Sequence, residues 1–175
     1  AMFSLKGNEI VTLPGDTNYT LTPSRVNYTF APVSAATAVL SGAWVNNFAA
    51  ALNNYVVSGS ITVNGIGLAG TTVTVSGSSS TFAVTASNGV FSFLLPAEGN
   101  YTLAPARINY TFDKVSVATA GLAGAWTGNN FAATVNTYQF SGTILSSGSV
   151  PLAGVRVAVT GSLMTAVLTD SNGHY

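Results

Sequence analysis

Asn100-Tyr101-Thr102-Leu103-Ala104-Pro105, running on to Ile108-Asn109-Tyr110-Thr111-Phe112, stands 82 residues after Asn18-Tyr19-Thr20-Leu21-Thr22-Pro23 and Val26-Asn27-Tyr28-Thr29-Phe30. The same offset carries Pro14 to Pro96, Arg25 to Arg107 and Trp44 to Trp126. It then slips by one, so that Phe48, Tyr55, Ser58-Gly59 and Ile61 return as Phe131, Tyr138, Ser141-Gly142 and Ile144. Leu68-Ala69-Gly70 returns as Leu152-Ala153-Gly154 at an offset of 84. Self-similarity at a fixed spacing has to be read before any single motif, because each copy is one packing unit. The expected division is a C-terminal part of a repeat over 1–54, a complete repeat over 55–137 and an N-terminal part of a repeat over 138–175.

Within the repeat, apolar residues alternate with polar ones: Tyr55, Val57, Ile61 and Val63; Val73 and Val75; Tyr101 and Leu103; Ile108, Tyr110 and Phe112. Period two places each set on one face of a strand. Asn64-Gly65, Asn88-Gly89 and Asn172-Gly173 supply turn chemistry. Strands are expected near 55–63, 70–77, 80–87, 90–95, 100–106, 108–112, 114–119 and 129–136, a spacing typical of an all-β, Ig-like sandwich. The Ala-rich stretches at Ala35-Ala36-Thr37-Ala38 and Ala118-Thr119-Ala120 are not expected to be helical, since Gly121, Gly124 and the equivalent Gly42 follow them. The core is expected to hold Val73, Val75, Tyr101 and Phe112.

Composition narrows the function. Hydrophobic residues make up 47% of the 175 and charged residues only 6%, with a formal net charge of zero. Such a chain has no basic footprint for nucleic acid or an anionic membrane. It is too apolar to be disordered, and its charge-poor surface suits a molecule held in an assembly or covered by glycan. The chain has no cysteine, so neither disulfides nor thiolate metal sites are available. No apolar block long enough to span a membrane is present, and no charged and apolar leader pattern opens the sequence as given.

Tyr55-Val56-Val57-Ser58-Gly59-Ser60-Ile61-Thr62-Val63, Leu68-Ala69-Gly70-Thr71-Thr72-Val73-Thr74-Val75-Ser76-Gly77, Ser87-Asn88-Gly89-Val90-Phe91-Ser92-Phe93 and Gly99-Asn100-Tyr101-Thr102-Leu103 together resemble the carboxypeptidase-regulatory-like repeat. That family is a prealbumin-like β-sandwich related to the CnaB-type stalk domains of bacterial surface proteins. The resemblance spans the complete repeat and both partial ones. It implies a tandem structural module in a secreted or surface-anchored protein, used as a spacer or adhesive stalk. The Lys–Asn isopeptide bond common in CnaB-type domains is not expected: the first strands beginning at Tyr55 and Tyr138 hold no lysine, and Lys6 and Lys114 are not repeat-equivalent.

Residues that carry chemistry are few. His174 lies beside Asp170 and Ser171, but neighbours in one turn do not converge as nucleophile, base and orienter. No catalytic, cofactor or metal site is therefore expected, and Asp170-Ser171-Asn172-Gly173 lacks the downstream bidentate Glu of a calcium loop. The acidic pair Asp16 and Glu98 and the basic pair Arg25 and Arg107 recur with the repeat, as a fold-supporting salt bridge or loop hydrogen bond would. Trp44 and Trp126 are read as loop-covering aromatics, with sugar stacking as the functional alternative. Asn18, Asn27, Asn100 and Asn109 each open an Asn-x-Thr sequon and are the candidate glycosylation sites.

The expected function is non-enzymatic: a structural module of an extracellular or cell-surface filament or stalk. The alternative is an adhesive or carbohydrate-binding module. The expected partners are copies of the same chain, with glycans or neighbouring surfaces as further candidates, and neither nucleic acid nor a membrane span. Because residues 138–175 hold the front of a repeat and residues 1–54 the back, head-to-tail completion by strand addition is one expectation and a long covalent array the other. Ala1 to Glu9 and Val167 to Tyr175 both align with 83–91, so a join would carry an insertion near Lys6-Gly7-Asn8.

Overall fold

The computed structural model describes residues 10–175, so the expected insertion and Lys6 lie outside the described residues. The chain divides into two compact units, residues 1–135 and 136–175. All regular elements among the described residues are strands.

The first unit opens with β1 (Tyr19–Leu21), β2 (Tyr28–Ala31), β3 (Ala35–Thr37) and β4 (Ala49–Leu52). It continues with β5 (Asn54–Val63), β6 (Ile66–Gly67), β7 (Thr72–Gly77), β8 (Thr81–Val84) and β9 (Val90–Pro96). It closes with β10 (Tyr101–Ala106), β11 (Tyr110–Phe112), β12 (Val117–Thr119) and β13 (Phe131–Val135). One sheet runs β12-β10-β7-β8 and the other β11-β13-β5-β6, with β9 also on β5. All pairs are antiparallel except β13 with β5, where Phe131 stands opposite Ile61.

The two sheets enclose one core. Val73, Val75, Tyr101 and Leu103 face inward from the first, and Val57, Ile61, Phe91, Phe93, Leu95, Phe131 and Ala133 from the second. β9 shows the alternation plainly, with Phe91, Phe93 and Leu95 buried and the residues between them exposed. Full burial of each large apolar side chain is worth about 1.5–3 kcal/mol, so these strands are held by packing more than by their own propensity. The Phe91 ring centroid lies 6.0 Å from that of Phe93 and 6.4 Å from that of Phe131. Tyr101 is buried, and its hydroxyl donates to the Pro96 carbonyl at 2.9 Å, which satisfies the phenol inside an apolar setting. Val73, Val75 and Tyr101 thus lie where alternation puts them, whereas Phe112 is half-buried and packs against the core from its margin, and Ile108 lies exposed in the turn ahead of β11 rather than on its inner face.

Turns complete the frame. Asn64 and Gly65 both have positive φ (51° and 79°), the requirement of a two-residue hairpin, and they join β5 to the short β6. At 88–89 and 172–173 only the glycine is left-handed. The Ala-rich stretches form β3 and part of β12, with Gly121 at φ 61° in the loop that follows.

Residues 10–52 repeat the pairings of β10 to β13 as two separate two-stranded sheets, without the further strands that extend each sheet in the complete sandwich. Tyr19 pairs Thr37 as Tyr101 pairs Thr119, and Phe30 pairs Ala50 as Phe112 pairs Ala133. The Tyr19 hydroxyl donates to the Pro14 carbonyl at 3.0 Å, as Tyr101 does to Pro96. At the junction within this unit, Asn53 N–H donates to the Asn27 carbonyl, and the Asn53 carbonyl accepts from Ala97 N–H, both at 2.8 Å. The Tyr55 hydroxyl donates to Asn27 Oδ1 at 3.0 Å.

The second unit holds β14 (Arg156–Val159) and β15 (Thr165–Leu168), an antiparallel pair with the register of β7 and β8: Val157 opposes Val167 as Val73 opposes Ala83. Ile144 N–H donates to the Gly173 carbonyl at 2.8 Å, as Ile61 N–H does to Gly89.

Candidate functional site

Asp170 and His174 belong to a single turn. Asp170 Oδ1 accepts from the N–H of His174 (2.9 Å) and of Asn172 (2.8 Å), closing a turn. The His174 amide, with lesser help from the Asn172 amide and the imidazole charge, lowers the Asp170 pKa below the usual carboxylate value despite an opposing desolvation effect. His174 Nδ1 lies 3.9 Å from Asp170 Oδ2 at an exposed surface. The sister turn has the same backbone geometry, Gly89 N–H donating to Ala86 as Gly173 does to Asp170, with Val90 in place of His174. The described residues contain no group of three His, Cys, Asp or Glu that could hold a metal.

The recurring charges do not form an ion pair within each repeat. Arg25 reaches across the junction to Glu98, Nη2 to Oε1 at 3.8 Å, and Tyr28 donates its hydroxyl to Glu98 Oε2 at 3.2 Å. Arg107 instead donates to the Ala69 carbonyl. What recurs is stacking: the Arg25 guanidinium lies 4.5 Å from the Tyr28 ring centre, and that of Arg107 lies 4.9 Å from Tyr110. Glu98 and Asp16 share a backbone role, at positive φ, with N–H groups donating to the carbonyls of Leu122 and Leu40. Lys114 Nζ donates to the Asn130 carbonyl at 2.8 Å.

Trp126 lies in the loop between β12 and β13, beside β5, and Trp44 in the loop between β3 and β4. Trp126 N–H donates to the Val56 carbonyl, and the Trp126 carbonyl accepts from Ser58 N–H, so the loop runs parallel along β5. Its side chain is half-buried against the core, and Trp44 is half-buried too. Of the sequon asparagines, Asn18, Asn100 and Asn109 are exposed and Asn27 half-buried. Asn100 Oδ1 accepts from Gly121 N–H at 2.8 Å, Asn27 holds Tyr55, and Asn27 and Asn109 have positive φ ahead of β2 and β11.

The most distinctive surface feature is apolar and lies on open strand edges. β4 pairs only β2, β1 only β3 and β14 only β15, while their counterparts β13, β10 and β7 are each paired on both sides. Leu103 is 0% exposed and its counterpart Leu21 37%; Val75 is 0% and Val159 43%; Val57 is 0% and Phe140 86%. Open edges beside apolar faces are what strand addition uses. Periodicity alone did not reveal how these edges would be matched, because alternation does not specify strand neighbours.

Fold and surface together define an all-β module of the β-sandwich kind. No protein-family profile matches the chain. It is 34% identical over 150 residues to chitinase ChiA of Flavobacterium johnsoniae, a match covering 82% of this chain and 9% of that enzyme. The Bacillus anthracis TIE protein is similar in structure, with a TM-score of 0.54 and 13% identity over 81% of this chain and 28% of that one, which speaks for fold alone. This chain therefore spans a small part of each relative.

Proposed function

We propose that the chain is a non-catalytic structural module of an extracellular filament or cell-surface stalk, built from tandem prealbumin-like sandwiches of the carboxypeptidase-regulatory-like or CnaB type. The domains are taken as 1–54, 55–137 and 138–175. The observation that carries this reading is the spending of recurring side chains on scaffold: Thr85 and Thr169, Tyr19 and Tyr101, Arg25 and Arg107 all bond or stack onto their own framework. A small stretch matching 9% of a chitinase fits an accessory region of such an enzyme better than its catalytic part. An extracellular location follows from that reading, as do Asn18, Asn27, Asn100 and Asn109 as glycan acceptors; intact mass above 17.8 kDa after expression in a glycosylating host is the check.

A carbohydrate-binding role is the second reading, favoured by the half-exposed Trp44 and by the chitinase relative. Incubation of the purified chain with chitin and other polysaccharides separates the two. The structural role predicts no turnover and no retention on the polymer. Retention lost on Trp44→Ala would favour binding, and turnover lost on His174→Ala would overturn the structural role.

A further inference from the structure

Asn53 is the one residue between β4 and β5, and it ties two turns together. Its N–H donates to the Asn27 carbonyl and its own carbonyl accepts from Ala97 N–H, both at 2.8 Å. The N–H and C=O of one extended residue point to the same side. β2 and β9 therefore meet end to end along one edge of the strand that runs from β4 into β5, with the turn ahead of β2 set against the turn after β9. Side chains cross the same seam: the Tyr55 hydroxyl donates to Asn27 Oδ1 at 3.0 Å, Arg25 Nη2 lies 3.8 Å from Glu98 Oε1, and the Tyr28 hydroxyl donates to Glu98 Oε2 at 3.2 Å.

Glu98 is an unusual residue for its place. Its φ is 61°, a left-handed conformation that strains a long side chain and that glycine adopts freely. The backbone task there, an N–H donated to the Leu122 carbonyl at 2.7 Å, needs no side chain at all. What glutamate adds is a carboxylate, and both of its oxygens face the preceding repeat. Strain kept at one position is a pointer to a role for that side chain. The groups recur: Asp16 holds the equivalent turn at φ 56°, while Arg107, Asn109 and Tyr110 repeat Arg25, Asn27 and Tyr28, with the arginine again stacked on the tyrosine. Each repeat thus has an acidic turn where it begins and an Arg-Tyr turn where it finishes.

We propose that Glu98 is a positioning residue whose carboxylate clasps Arg25 and Tyr28 and so fixes the angle between successive repeats, an assignment that rests on the tandem structural role above. The Tyr55–Asn27 bond is the second strut of the same joint. Opposite charges at the two ends join repeats in one polarity, which accounts for acidic and basic residues that recur together without pairing inside a repeat. Because the ion pair is exposed, the clasp orients the joint more than it stabilises the fold.

The chain has no cysteine, so spin labels can be placed at will in its full length. Ala36→Cys on β3 and Phe82→Cys on β8 lie at exposed positions on opposite sides of the seam, and pulsed electron paramagnetic resonance reads the distance between them. The doubly labelled parent is expected to give one narrow distance. Adding Glu98→Gly is expected to broaden the distribution roughly twofold, since domains without a fixed contact swing by default. The melting temperature is expected to stay nearly unchanged, because glycine accepts the positive φ. Tyr28→Phe is expected to broaden the distance in the same direction. A glutamate that served only its turn would leave the distance unaltered in Glu98→Gly, and that result overturns the proposal. So does a parent distribution already as broad as that of the variant. Either result leaves the structural role standing, because that role is tested by polysaccharide retention and turnover instead.

Discussion

Thr85 donates its hydroxyl to the Leu68 carbonyl at 2.6 Å from within the buried interior, and the same oxygen accepts from Thr71 N–H at 2.9 Å. Thr169 does the same for Leu152 and Val155, at 2.6 and 2.9 Å. One hydroxyl thus satisfies two backbone groups where the chain turns into β7. Thr85→Val leaves both unpaired and is expected to cost about 1–3 kcal/mol, read as a lower melting temperature, with Thr85→Ser retaining most of the stability.

Thr71 presents the opposite case. It is fully buried, its own hydroxyl has no partner, and the equivalent residue is Val155. Thr71→Val removes an unsatisfied polar atom without changing shape, so it is expected to be neutral or to stabilise by up to about 1 kcal/mol. A clear loss in denaturant midpoint would show that the hydroxyl has a role.

Phe131 and Phe112 differ in weight. Phe131 is almost fully buried against Phe91, and Phe112 sits at the core margin. Phe131→Ala is expected to cost about 3–5 kcal/mol, enough to unfold a sandwich of this size, and Phe112→Ala distinctly less. Urea titration of the two variants checks the order.

Asp170 gives a pH signature. Its folded pKa is lowered, so its contribution is present above the unfolded carboxylate value and is lost as pH falls through the folded one. Below about pH 4 the 170–175 turn is expected to loosen, with the Asn172 and His174 amide resonances moving together. Asp170→Asn abolishes that titration. Because the carboxylate is exposed, the melting temperature of the whole chain is expected to change little.

Much of this fold was legible in sequence. Alternation marked the strands, and Asn64-Gly65 marked the hairpin, because side-chain period and positive φ are local properties. The parallel match of β13 with β5 was not legible, since a strand carries no sign of its neighbour's direction. Nor was the role of Thr85: a threonine among threonines looks like surface until burial shows its hydroxyl holding Leu68. Arg25 and Glu98 recur with their repeats, yet they pair across a junction, which equal spacing within each copy cannot reveal. Asn46 and Asn129 are equivalent in sequence, yet the side-chain nitrogen of Asn129 bonds to Ser58 while that of Asn46 has no partner, a difference that spacing alone does not show.

The central claim is that residues 54–135 close a complete sandwich around one core, while β1, β4 and β14 each keep an unpaired edge. Hydrogen exchange of the full chain at low and high concentration tests it most directly. The amides of β5, β7, β9, β10 and β13 are expected to exchange slowly at both concentrations, and those of β1, β4 and β14, each paired on one side only, quickly when dilute. Uniform protection across all strands at every concentration would contradict the account.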